Sequence, residues 1–194
     1  MKIAILGGTF DPPHYGHLMI AEEVLHTCSL DAVWFMPSPS PPHKTGEVIT
    51  DSEHRIEMVR RAIADNECFD LCLIEFDRNG PSYTYDTMKK LVRQRPDDTF
   101  FFLIGADMVE YLPHWNRVDE LVRLLPFIGV GRPGFSLDSE YGEFIREVEV
   151  PQFQVSSSFL RERFGENGNT RYFLPENVRQ YIEEKGLYGS RNRT

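Results

Sequence analysis

The chain predicts an α/β fold, a doubly wound and mostly parallel sheet with helices on both faces, and three observations lead to that class. Short apolar runs alternate with segments whose apolar residues recur at a helical period. The run TFFFLI at 99–104 is apolar throughout, as a strand buried between two helix layers must be. The first run ends in a glycine pair and leads straight into a helical pattern, the opening of a βαβ unit.

Each element follows in order. KIAIL at 2–6 predicts a strand ending at Gly7-Gly8, and from about 16 to 28 Leu18, Ala21, Leu25 and Cys28 share one face of a helix. AVWFM at 32–36 is the second strand. PSPSPPHK at 37–44 is too rich in proline for helix or inner strand, so a loop is expected there on the ligand edge. Thr50-x-x-Glu53 has the spacing of a capping box, opening a helix with Ile56, Val59 and Ile63 inward. LCLIE at 71–75 precedes a helix from about 84 to 95 carrying Met88, Leu91 and Val92. After TFFFLI come short helices at 107–111 and 116–124, a strand in PFIGVG at 126–131, and a shorter edge strand in REVEV at 146–150. Pro175 and Gly186 bracket a final helix. The order is Rossmann-like, and such sheets bind ligands at the carboxyl ends of their strands.

With 194 residues and 41% hydrophobic side chains, the expectation is one domain over 1–194. The N-terminal apolar run is too short for a signal peptide or a membrane span, so a cytoplasmic protein without membrane contact is expected. Three cysteines suit a reducing compartment and predict no disulfide; Cys68 and Cys72 lack a second pair for a zinc finger. A net charge of -9 without a basic stripe argues against nucleic acid as a partner.

The strongest chemical signal is GGTFDPPHYGH at 7–17. Gly7 and Gly8 let backbone N–H groups approach an anion, the helix start adds roughly half a positive charge, and the imidazoles of His14 and His17 donate to phosphate oxygens. Gly16 leaves room for a base or ribose. The spacing matches neither a P-loop nor the GxGxxG turn. A second cluster, VSSSFLR at 155–161, sets serines at a helix start with the Arg161 fork one turn on, another anion-binding arrangement.

The first motif resembles the nucleotide-binding signature of the adenylyltransferase branch of the nucleotidylyltransferase superfamily, whose hallmark is His-x-Gly-His. The second is similar to that family's Ile-Ser-Ser-Thr-x-Ile-Arg, with Ser158 keeping the hydroxyl. Within the branch the chain resembles the bacterial nicotinate-nucleotide adenylyltransferases over nearly its whole length, through PPHK at 41–44, GPSYTYDT at 80–87, LIGAD at 103–107 and YLPHW at 111–115.

The resemblance implies transfer of the AMP part of ATP to nicotinate mononucleotide, giving deamido-NAD and pyrophosphate. Gly7, Gly8, Thr9, Phe10, His14, His17, Ser156, Ser157 and Arg161 would then hold ATP, with Gly105, Asp107 and Arg132 near its adenosine. Lys44, Tyr83, Thr84, Tyr111 and Trp115 would face the mononucleotide. An indole stacks on a pyridinium, and the N–H groups at Tyr83 and Thr84 suit a carboxylate. Plain packing for Trp115, a solvated Lys44 and a helix-capping Asp107 are the alternatives. The acceptor phosphate, with a second pKa of about 6, arrives deprotonated and needs no general base. His14, His17 and Arg161 are therefore the catalytic candidates, by positioning and charge stabilisation. Magnesium is expected to enter with ATP, with no metal site built from protein alone. A homodimer is expected by family likeness only. Rival readings are adenylyl or cytidylyl transfer to another acceptor such as nicotinamide mononucleotide, phosphopantetheine or a sugar phosphate, a metallohydrolase using His14, His17 and His43, and a non-catalytic nucleotide sensor.

Overall fold

β1 (Lys2–Gly8) pairs with β2 (Ala32–Pro37) on one side and β4 (Thr99–Gly105) on the other, so a run with no polar residue after Lys2 lies at the middle of the sheet. The computed structural model describes residues 1–39, 49–77, 82–131, 140–151 and 153–190, apart from the Asp107 side chain. β3 (Phe69–Leu71) flanks β2, and β5 (Phe127–Val130) and β6 (Ile145–Val148) continue beyond β4. The six strands are all parallel, in the order β3-β2-β1-β4-β5-β6.

Alternate residues of each central strand feed opposite layers. Ala4, Leu6, Val33, Phe35 and Leu103 face α1 (Tyr15–Thr27), α2 (Ser52–Ala62), α6 (Ser157–Gly165) and α7 (Glu176–Lys185). Ile3, Ile5, Phe100, Phe102 and Ile104 face α3 (Thr84–Gln94), α4 (Ala106–Val109) and α5 (Val118–Leu124). The doubly wound class and the edge position of the 146–150 run are as expected.

Three local expectations are corrected. No capping box forms at Thr50-x-x-Glu53: the N-cap of α2 is Asp51. Thr50 is otherwise engaged, its N–H donating to Asp11 Oδ2 at 3.2 Å and its carbonyl accepting from Arg55 Nε at 2.9 Å. Ile56 is only half-buried, and Arg55 and Met58 take the inward stripe with Val59 and Ala62. The 71–75 run is strand only through Leu71, after which residues 74–77 wind into a 3-10 turn. Pro175 is the N-cap of α7, and Gly186 closes that helix at φ 63°, a left-handed conformation that favours glycine.

Leu121 of α5 is fully buried in the α3–α5 layer. Leu121→Ala is expected to lower the unfolding free energy by about 2–5 kcal/mol, the usual range for a truncated core leucine, measured as a shift in denaturant midpoint.

Candidate active site

At the centre of the sheet the chain leaves β1 towards the α1 layer and leaves β4 towards α4 on the opposite face. Neighbouring strands whose connections diverge in this way leave a crevice at their carboxyl ends. The turn after β1 lies there. A Cβ on Gly8 would stand 2.9 Å from the Phe10 ring, so glycine lets that ring fold back under the strand end. Phe10 is 2% exposed, at φ 51°, and sits edge-on to His17 at 5.1 Å. A left-handed residue of this type costs about 1–2 kcal/mol, which burial of the ring offsets. With its side chain in the core, Phe10 has only its backbone to offer a ligand.

His14 caps α1 from extended backbone, and its N–H donates to His17 Nδ1 at 3.2 Å. That bond needs a lone pair on Nδ1, so in this geometry His17 is neutral and carries its proton on Nε2, leaving an N–H donor on the far edge of the ring. The two imidazoles stack at 3.7 Å and 28°, a separation that disfavours two positive charges. A Cβ on Gly16 would meet His14 Nδ1 at 3.0 Å and Val155 at 3.3 Å, so glycine there lets the His14 ring and the second motif close in on the helix start.

The serine-arginine cluster, about 145 residues further along the chain, is docked onto this turn. Ser156 caps α6, accepting from the Phe159 N–H. Ser157 Oγ donates to the Pro12 carbonyl at 2.8 Å, and Arg161 Nη1 donates to the Asp11 carbonyl at 2.9 Å. Arg161 Nη2 reaches Ser158 Oγ at 3.3 Å. The structure thus brings Gly7, Gly8, Thr9, Phe10, His14, His17, Ser156, Ser157 and Arg161 together. Both imidazoles, Gly16, Val130, Val150 and Phe153 are among the residues lining a cavity of about 40 Å³ beside the turn, polar on the histidine side and apolar opposite.

Across the sheet, Gly7 is followed by Phe102, whose Cζ is 3.4 Å from where a glycine Cβ would lie, and then by Trp115, edge-on to Phe102 at 5.7 Å. Tyr83 caps α3 from an exposed position, Thr84 is the first residue of that helix, and Tyr111 is exposed with its ring against His114. Ser82 Oγ and Trp115 Nε1 are buried with no hydrogen-bond partner among the described residues. Gly105 caps α4 at the end of β4. Lys44, His43, Arg132 and the Asp107 side chain lie outside the described residues. All three cysteines are free thiols, Cys68 exposed and Cys72 buried. Among the described residues no group of three or more His, Cys, Asp or Glu could hold a metal ion.

Three residues beneath the turn carry no role in the sequence reading. Asp11, 2% exposed, accepts from Tyr188 Oη at 2.6 Å on one oxygen and from Thr50 N–H on the other. Arg55, 1% exposed, donates to the carbonyls of Thr9 at 2.8 Å, Pro39 at 3.2 Å and Thr50. Burial pulls its guanidinium below the ordinary arginine range, and the Asp11 charge opposes that pull. Burial, followed by the Asp11 charge and hydrogen bond, pushes the Tyr188 phenol well above the usual tyrosine range. The readable signal for Arg55 is a cation on the inward stripe of an amphipathic helix; Tyr188 has none.

A family model described as cytidylyltransferase-like matches residues 5–163. A protein named probable nicotinate-nucleotide adenylyltransferase from Geobacillus kaustophilus (strain HTA426) is 57% identical over 190 residues, covering 98% of this chain and 87% of its own. The nicotinate-nucleotide adenylyltransferase of Bacillus subtilis (strain 168) is 53% identical over 189 residues, covering 97% and 99%. Among solved structures, Plasmodium falciparum nicotinic acid mononucleotide adenylyltransferase complexed with NaAD superposes with a TM-score of 0.82 at 22% identity, covering 97% of both chains, a likeness of fold.

Because the folded-state pKa of Tyr188 is raised, the stability it contributes is complete below the unfolded tyrosine value of about 10 and is lost as pH rises above it. Between pH 9 and 11, values on the order of one unit either side of that pKa, the unfolding free energy is expected to fall more steeply for the wild type than for Tyr188→Phe. Equal slopes in urea titrations would contradict the assignment.

Proposed function

This chain belongs to the cytidylyltransferase-like family and, within it, to the nicotinate-nucleotide adenylyltransferases, and we infer that it joins the AMP part of ATP to nicotinate mononucleotide, giving deamido-NAD and pyrophosphate. The observation that carries the residue-level reading is the docking of Ser157 and Arg161 onto the Pro12 and Asp11 carbonyls beside the stacked imidazoles. It gathers glycine N–H groups, two imidazoles and a guanidinium in one crevice, a donor set for a polyanion.

In this reading the triphosphate lies along Gly7, Gly8, Thr9 and Phe10 and over the start of α1. His17, neutral with Nε2–H outward, hydrogen-bonds the α-phosphate oxygens as charge builds on them, with His14 beside it. Arg161 stabilises the departing pyrophosphate, and Ser156 and Ser157 hold the α6 start in place. Gly105, Asp107 and Arg132 border the adenosine. The acceptor enters from the Trp115 side, its ring against the indole and its carboxylate at the N–H groups of Tyr83 and Thr84, with Tyr111 at the rim and Lys44 as a further contact to it. The acceptor phosphate is already ionised, so in-line alignment and charge stabilisation suffice and no side chain need remove a proton.

The donors gathered here suit anions, whereas magnesium prefers oxygen ligands. The ion therefore fits as a companion of the triphosphate, held by its oxygens and water, where it neutralises charge on the nucleotide. No helix among the described residues is long and apolar enough to cross a membrane. A single catalytic unit over 1–194, a cytosolic location in keeping with three free thiols, and a homodimer by family likeness complete the proposal.

Pyrophosphate release measured with ATP and either nicotinate or nicotinamide mononucleotide tests the acceptor. Faster turnover of the acid is expected, and equal or preferred use of the amide would overturn the carboxylate assignment. His17→Ala is expected to lower kcat by about 100- to 1000-fold, the scale of losing one preorganised donor, with little change in denaturant midpoint; near-normal turnover would remove His17 from the catalytic set.

A further inference from the structure

The inward stripe of α2 is Arg55, Met58, Val59 and Ala62, so a guanidinium stands where packing alone calls for an aliphatic side chain. A buried cation is costly unless paired and fully hydrogen-bonded. Here Nε, Nη1 and Nη2 each find a carbonyl, and the three carbonyls come from separate places: Thr9 in the turn after β1, Pro39 in the loop after β2, and Thr50 just before α2. Asp11 grips Thr50 from its N–H side while Arg55 takes its carbonyl. The Ser38 N–H donates to the Gly8 carbonyl at 2.9 Å. Residues 38–39 and residue 50 are therefore both tied to the phosphate turn, one on each side of residues 40–48.

We propose that Asp11 and Arg55 form a positioning unit that fixes the phosphate turn against residues 38–39 and 50, and through the turn the alignment of the nucleotide. The proposal rests on the reading that the turn holds ATP. Asp11 sits inside the signature motif, next to phosphate-binding residues, yet both carboxylate oxygens point at protein donors, Tyr188 and Thr50. It is held by a phenol and a backbone N–H. Arg55, 1% exposed, likewise turns its fork on protein carbonyls. Its planar fork reaches three acceptors at once, which the point charge of a lysine does not reproduce.

The test compares wild type, Arg55→Lys, Tyr188→Phe and, as a control for lost stability alone, Val178→Ala in the fully buried α7 core. Each is assayed well below its melting midpoint. Arg55→Lys is expected to raise KM for ATP at least about fivefold and to lower kcat about 10- to 100-fold, as small misplacement does. Amide hydrogen exchange of residues 8–11 and 49–51 is expected to quicken about tenfold. Val178→Ala is expected to melt lower with both KM values unchanged. Should Arg55→Lys fail to fold, Tyr188→Phe, which frees one Asp11 oxygen, is expected to show the same pattern at smaller amplitude. A wild-type KM for ATP together with wild-type exchange in the folded variant overturns the proposal. If the wild type itself releases no pyrophosphate, the functional reading fails, while the exchange data still report whether Arg55 holds the two segments.

Discussion

Four backbone carbonyls at the turn after β1 are held by the protein. Gly8 is held by the Ser38 N–H, Thr9 by Arg55, Asp11 by Arg161 and Pro12 by Ser157. In a planar trans peptide the N–H points opposite to the C=O, so drawing the Gly8 and Thr9 carbonyls inward turns the N–H groups of Thr9 and Phe10 the other way. A short stretch of chain that would otherwise be neutral to ligands becomes a donor surface. The glycines, the buried Phe10 ring and the left-handed φ are the geometric conditions for that orientation.

The same constraint explains why two histidines can stand so close. Stacked at 3.7 Å, the rings share one local field, and the bond from the His14 N–H keeps Nδ1 of His17 as an acceptor. Hydrogen bonding from a neutral ring costs less desolvation in the crevice than a second full cation would. The permanent positive charge comes from Arg161 instead, which is anchored through Nη1 to Asp11 and through Nη2 to Ser158.

The sheet was legible because its central strands are uniformly apolar and its helices carry clear stripes; even the edge character of β6 could be read from REVEV. The glycine-histidine and serine-arginine motifs were legible because glycine pairs, serine runs and histidines have few other uses together. What could not be read were long-range polar contacts. Thr50 looked like half of a capping box, since local spacing says nothing of Asp11 and Arg55 competing for its peptide. Gly16 reads as room for a base or ribose, and only the fold shows that the His14 ring packs close to it as well. Arg55 takes the inward stripe in place of Ile56, and its partners lie 46, 16 and 5 residues away, where no local pattern announces them. Tyr188 reaches across 177 residues to Asp11.

That last separation also bears on how the molecule is made. The turn at 9–12 leaves the ribosome well before the groups that orient it, which arrive with α6 and with the segment around Tyr188. The Tyr15 N–H at the start of α1 likewise waits for the carbonyl of Phe173. Contacts so far apart in sequence close late. A nascent chain therefore carries the signature long before it has a usable pocket, and nucleotide capture is deferred until α6 and Tyr188 have followed it out.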